Sequence, residues 1–190
     1  MRPPAGRIRI NAGTHRGRMI EVPPGDAARP TGARVREALF NILTHLEPGI
    51  ADSSVLDACA GSGALGFEAL SRGAAHATFF DTDRAVLRTI EETAAALDFG
   101  NRTTVQRADA TRPPVNRAEP CGLVFLDPPY ASEIAATAPP ALADSGWIGP
   151  RTLLVVETSR TNPVLPGAEF TETDARIYGD TTLYFMRYSG

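Results

Sequence analysis

Four aspartates, Asp57, Asp81, Asp109 and Asp127, each stand at or near the end of an apolar run of strand length. In an open α/β sheet, ligands bind in the crevice beyond the carboxyl ends of the strands, so acids at those ends are expected to converge on one site. An aspartate after a strand also commonly caps the next helix, which accounts for any one of them alone. Four in succession, two of them inside recognisable motifs, point to a ligand carrying positive charge and hydroxyl groups.

The first motif runs Asp57-Ala-Cys-Ala-Gly61-Ser-Gly63-Ala-Leu-Gly66. Its glycines satisfy G-x-G-x-x-G, which permits a tight turn, close approach of backbone to ligand and close packing of the following helix. Nicotinamide and flavin proteins share that loop. Asp57 separates the readings: its charge would repel a dinucleotide pyrophosphate but would attract the ammonium group of S-adenosylmethionine. Ala60, Gly61, Ser62 and Gly63 are therefore candidate cofactor contacts. On the second run Asp81, with Thr82 beside it, is placed to accept from two ribose hydroxyls, while Asp83 suits a helix start. On the third, Asp109 and Ala110 lie where an adenine amino group is expected.

The fourth run, Gly122 to Leu126, leads into Asp127-Pro128-Pro129-Tyr130, and this motif gives the reaction type. Consecutive prolines fix φ and remove two N–H donors, leaving carbonyls to accept. An exocyclic amine on a base is a poor nucleophile because its lone pair is delocalised into the ring. Hydrogen bonds from its two N–H groups to the Asp127 carboxylate and the Pro128 carbonyl would localise that pair and aim it at a sulfonium methyl. Tyr130 would stack on the base. A strong general base is unnecessary, since the methylated amine is acidic and Asp127 or water can take its proton.

The elements that must position these groups alternate along the chain. Apolar runs SVLDACAG, ATFFDTD, TTVQRADA, GLVFLDPPY and TLLVVETS are separated by helix-length intervals, the pattern of a parallel sheet with helical crossovers. Helices are expected over 64–71 and 83–97, the latter stopping near Gly100. Another, over 34–46 with Thr31 or Gly32 as its cap, is expected to pack on the sheet edge. The segment IRINAGTHRGRMIEV reads as two short strands about a turn at Gly13 to Gly17, and RIYGDTTLYFMRY as two antiparallel strands meeting near Gly179 and Asp180. The Pro-rich stretches 23–30 and 113–120 read as surface loops.

With 190 residues and 43% hydrophobic content, the chain suits one globular domain. Residues 1–28 are expected to form a hairpin extension and 29–190 the main domain. No apolar run approaches the roughly 20 residues of a membrane span, and prolines interrupt the start, so a cytoplasmic protein is expected. Two cysteines, Cys59 and Cys121, read as small reduced apolar residues, and no metal site is expected. The net charge of −3 hides an asymmetry: residues 1–37 carry eight arginines against three acids, and the remainder is acidic. Arg7, Arg9, Arg16, Arg18, Arg29, Arg34 and Arg36 are the candidate phosphate contacts, against the alternative of a merely solvated basic face.

Taken with RPTGARVREALFNIL, GTHRGRMIEVP, the glycine loop, DPPY and YGDTTLYF, the chain resembles the RsmD family, bacterial methyltransferases that modify a 16S ribosomal RNA guanine at N2. The arginine-rich helix motif is the most specific of these. The resemblance implies a Rossmann-like class I methyltransferase fold whose seven-stranded, mostly parallel sheet has its last strand antiparallel. It also implies S-adenosylmethionine as cofactor, the small ribosomal subunit as substrate, a monomer, and a segment from Arg29 to Asn41 bordering cofactor and base. Asn11, Ala33 and the Glu92-Thr93 pair depart from the usual family pattern, which bears on RNA contacts rather than chemistry. Three other readings stay open on the residues: an N6-adenine methyltransferase, an NAD(P)-dependent oxidoreductase, and a non-enzymatic RNA-binding factor.

Overall fold

A computed structural model describes residues 6–22, 30–129, 132–161, 163 and 165–190, the side chains of Pro30 and Thr31 excepted. Strands β1 (Arg7–Arg9) and β2 (Met19–Glu21) form an antiparallel hairpin, and helix α1 (Pro30–Leu43) follows. The chain then alternates through β3 (Ser54–Asp57), α2 (Ala64–Ser71), β4 (His76–Asp81), α3 (Arg84–Ala96), β5 (Thr103–Arg107), β6 (Leu123–Leu126), α4 (Ile134–Asp144) and β7 (Leu153–Ser159). It closes with β8 (Phe170–Tyr178) and β9 (Thr181–Tyr188). The seven strands order as β5-β4-β3-β6-β7-β9-β8; the first five are parallel, and β9 runs antiparallel between β7 and β8. This is the expected Rossmann-like methyltransferase architecture.

Central strand β6 is buried at all four residues, as a parallel strand covered on both faces must be. One face packs against α1, α2 and α3 through Leu39, Phe40, Phe67, Ile90 and Phe125, the other against α4 and Trp147. Ile10 and Ile20 of the hairpin belong to the first of these cores, so the N-terminal extension shares its packing with the main domain.

Three local expectations change. Helix α1 begins at Pro30, with proline in the first turn where its missing N–H costs nothing, and ends at Leu43. It lies over the middle of the sheet rather than the edge, since the Phe40 ring sits 5.7 Å from that of Phe125 on β6. Helix α4 has no counterpart in the expected pattern because it holds Pro139 and Pro140 in its interior, each costing about 3 kcal/mol. Its Ala135, Ala138, Pro139 and Leu142 are buried, and that tertiary packing holds the helix together.

Candidate active site

Beyond β3 the chain leaves in one direction to β4 and β5 and later returns to β6 on the other side, so the switch point falls between β3 and β6. Asp57 pairs in register with Phe79 of β4 and Phe125 of β6, which puts Asp57, Asp81 and Asp127 at neighbouring strand ends. The loop after β3 is pinned on both sides: the Ala58 N–H donates to the Phe125 carbonyl at 2.9 Å and the Ala60 N–H to the Phe80 carbonyl at 2.9 Å. Gly61 and Gly63 turn it at φ of 49° and 73°. Gly66 admits the close packing expected of it, because a Cβ there would overlap the Phe79 ring.

Asp57 is 1% exposed, and its Oδ2 accepts from the Gly66 N–H in the first turn of α2 at 3.1 Å. Burial, with Asp81 nearby and against the Gly66 bond, raises its pKa to about 7. Asp57 thus caps α2, the innocent role considered for it, while remaining a buried acid poised to ionise beside a cation. Asp81 accepts from Gly61 N–H at 3.1 Å and Asp83 N–H at 2.9 Å, one on each oxygen. A carboxylate offers about four lone-pair sites, so capacity remains for hydroxyl donors. Asp83 caps α3 through the Ala85 N–H at 2.7 Å, as expected.

Asp109 accepts from the hydroxyl and the N–H of Thr111, which with Arg112 hold its pKa below the usual range. It lines an open groove of about 230 Å³ with Thr82, Arg107 and Ala108. Ala110 is buried beside it. Asp127 is exposed after β6, Pro128 is buried, and the Pro129 carbonyl accepts from Ser132 Oγ at 2.7 Å. The engaged carbonyl is that of Pro129; the one expected to serve the base amine beside the Asp127 carboxylate is that of Pro128. Tyr130 lies outside the described residues.

Cys59 follows Asp57 in the loop after β3. Burial and then, in order, Asp57, Asp127, Asp81 and Asp109 push its thiol pKa up to about 12. The strand register supplies the geometry: Asp57 lies opposite Phe79 and Phe125, and Asp81 opposite Arg107, so these acids stand at the same end of adjacent parallel strands.

The family model described as Conserved hypothetical protein 95 matches residues 8–187. Ribosomal RNA small subunit methyltransferase D of Escherichia coli K12 is 42% identical over 164 residues, covering 85% of this chain and 81% of that protein. Its Haemophilus influenzae namesake is 38% identical over 173 residues, 87% and 86% of the two chains. The chain belongs to the RsmD family. The solved structure of E. coli yhhF, 35% identical, superposes with a TM-score of 0.83 over 97% of this chain and 99% of that one.

The basic residues of this RsmD-family chain divide into two groups. Arg9, Arg16 and Arg34 are exposed. Arg7 pairs with Glu21 at 2.9 Å on the surface, and Arg18 donates to the Ala96 carbonyl at the end of α3 at 3.0 Å. Arg36 corrects its expected role: it is 7% exposed, donates to the Arg9 carbonyl at 2.9 Å, and has Glu68 at 4.0 Å. Desolvation lowers its pKa, and its guanidinium is an internal brace rather than a phosphate contact. Arg29 lies outside the described residues.

Sequence reasoning missed Cys59, Arg107 and Glu68. Cys59 could have been found from its place between Asp57 and Gly61. The signal for Glu68 was a lone charge on the otherwise apolar helix ALGFEALS, since an unpaired acid is almost never fully buried.

Proposed function

We propose that this protein transfers a methyl group from S-adenosylmethionine to the exocyclic N2 amine of a guanine in small-subunit ribosomal RNA. The observation that carries the reading is the strand register that puts Asp57, Asp81 and Asp127 at the ends of adjacent parallel strands, with the glycine loop on one side of the switch point and Asp127-Pro128-Pro129 on the other. The names of the relatives, ribosomal RNA small subunit methyltransferases, support the RNA substrate.

The residues present fit the cofactor: a buried acid for an ammonium, a half-buried acid for a ribose, and a groove at Asp109 for an adenine. When bound, S-adenosylmethionine supplies an electrophilic methyl group on a sulfonium sulfur. Asp57 pairs with the ammonium, Asp81 accepts from the ribose hydroxyls, and Gly61 and Gly63 allow the backbone to approach. On the acceptor side Asp127 and the Pro128 carbonyl each take one N–H of the guanine amine, leaving its lone pair directed at the methyl carbon. The amine would take the methyl group as the sulfonium leaves as a neutral thioether, and Asp127 or water would accept the proton that the methylated amine sheds. The base reaches this site only when flipped out of its stack, and Tyr130 is assigned to hold it there.

The test maps modified guanines in 16S ribosomal RNA from a strain lacking the protein. Loss of one N2-methylguanine, restored by purified protein acting on isolated small subunits, is the expected result. Methylation of adenine in DNA supplied in parallel, with none in the subunits, would dismiss the guanine reading.

Cofactor affinity should depend on pH through Asp57. Pairing with an ammonium requires the ionised carboxyl, so below about pH 7 binding must first remove a proton. The dissociation constant for S-adenosylmethionine, measured by calorimetry, should rise between pH 8 and pH 6, approaching roughly tenfold per unit at the acid end. Asp57→Asn should flatten the profile, and a flat profile in the unaltered protein would remove Asp57 from the ammonium site. Without ligand the stability effect has the opposite sense. The folded pKa lies above the ordinary aspartate value of 3.8, so ionising Asp57 costs stability as pH rises from 4 through 7.

RNA affinity should depend on salt through the exposed arginines. Replacing Arg9, Arg16 and Arg34 together by alanine should weaken binding and reduce the slope of log affinity against log salt by about two to three, as fewer counterions are released. An unchanged slope would return them to a solvated surface.

A further inference from the structure

We propose that Glu68 and Ser71 on α2 are positioning residues that hold the arginine hairpin at a fixed place relative to the methyl-donor loop. The inference rests on the functional reading above and adds to it how the RNA-contacting element is registered to the chemistry.

Glu68 is 0% exposed, and its carboxylate accepts from the backbone N–H groups of Asn11 at 2.8 Å and Ala12 at 3.1 Å, both in the hairpin turn. Ser71 takes the same turn from the next helical position along: its Oγ donates to the Ala12 carbonyl at 2.6 Å and accepts from the His15 N–H at 3.0 Å, and its carbonyl accepts from the Thr14 N–H at 2.8 Å. The approach is so close that a Cβ on Gly13, itself at φ +82°, would overlap the Ser71 carbonyl. Arg36 adds a further tie through the Arg9 carbonyl.

The opposite end of α2 carries the donor loop. Gly63 precedes the helix, and the Gly66 N–H is held by Asp57. From Gly66 to Ser71 the helix advances only about 7.5 Å. One rigid turn and a half of helix therefore joins the loop that faces the cofactor to the turn whose flanks carry Arg9 and Arg16. A hairpin needed only for affinity could be tethered by its apolar side chains alone, since Ile10 and Ile20 already bury it. Buried polar ties to backbone amides instead define where it sits. Their consequence is orientation: RNA gripped by the arginines is delivered with its flipped base at a set distance from Asp127.

Two variants break the contact from opposite sides without touching the cofactor or the arginines. Gly13→Ala forces the turn off the helix, and Ser71→Ala removes two of its hydrogen bonds. In each, hydrogen exchange at Asn11, Ala12 and His15 should quicken, S-adenosylmethionine affinity should stay within twofold, kcat should stay within threefold, and KM for small subunits should rise about tenfold. Faster exchange with unchanged KM would overturn the proposal, as would a KM rise matched by an equal loss of cofactor affinity, which would mean that α2 itself had been damaged. If the unaltered protein fails to methylate small subunits, the functional reading falls separately. The positioning claim is then read from binding of the cofactor-loaded proteins to 16S ribosomal RNA, where tenfold weaker binding by both variants supports it and equal affinities refute it.

Discussion

Asp127→Ala should lower the rate of methyl transfer by about 10²- to 10³-fold, the loss seen when a polar group aimed at a developing transition-state charge is removed. The effect should fall on kcat. Asp127 follows β6, whereas the loop and carboxylates assigned to the cofactor stand at the ends of β3, β4 and β5, so S-adenosylmethionine affinity should stay within about threefold by the same separation of ground-state from transition-state contacts. Single-turnover transfer to small subunits and calorimetric binding of the cofactor check both halves. Asp127→Asn should retain part of the rate, because its amide oxygen can still accept one N–H while its NH₂ opposes the amine. A variant that loses cofactor affinity in step with rate would move Asp127 to the donor side and leave the amine without its acceptor.

The largest effect on stability is expected at Glu68. Beyond the two hairpin amides, its carboxylate receives Arg72 Nε at 2.8 Å and lies 4.0 Å from Arg36 Nε, too far for a hydrogen bond but near enough for attraction. Glu68→Ala leaves Arg36 buried without its countercharge and strands two amides, so about 3–5 kcal/mol should be lost. Against a total of about 5–15 kcal/mol for a native domain, that is at least about a fifth of the margin. The thermal midpoint should fall by roughly 10 °C, and urea unfolding should show the same loss. Glu68→Gln should lie between, keeping an acceptor but not the charge. Replacing Arg36, Glu68 and Arg72 together by apolar residues should still destabilise, in contrast to many buried ion clusters, because Asn11 and Ala12 would lack an acceptor. Stability within 1 kcal/mol of the original in Glu68→Ala would show that solvent or rearrangement satisfies the turn.

A second consequence of the same packing concerns Cys59. With its thiol pKa pushed up to about 12 by burial and the surrounding carboxylates, it stays protonated, and a thiol is a far weaker nucleophile than a thiolate. The acids proposed to hold the cofactor thus also quiet the Cys59 thiol.

The alternation of apolar runs and helical spacings made the parallel sheet legible in the sequence, because periodicity and strand length are local properties of the chain. The carboxylates at the strand ends followed directly: once the runs are strands of one parallel sheet, Asp57, Asp81, Asp109 and Asp127 must share an edge. The glycine loop was equally readable, since Gly61 and Gly63 occupy backbone conformations that other residues seldom adopt. Helix α4 was not, because Pro139 and Pro140 oppose it locally and burial outweighs them only after the sheet exists. Nor could composition sort the arginines. Arg34 and Arg36 look alike in sequence, yet one is exposed while the other braces the interior, and the difference lies in which side of α1 meets Glu68. That meeting joins positions such as Asn11 and Glu68, 57 residues apart, and no spacing rule reaches so far. The sequence by itself therefore determined the architecture and the chemical types at the site. The ionisation of Asp57, the crowding around Cys59 and the seating of the hairpin were decided by tertiary structure, because desolvation and charge proximity arise only when distant segments exclude water together.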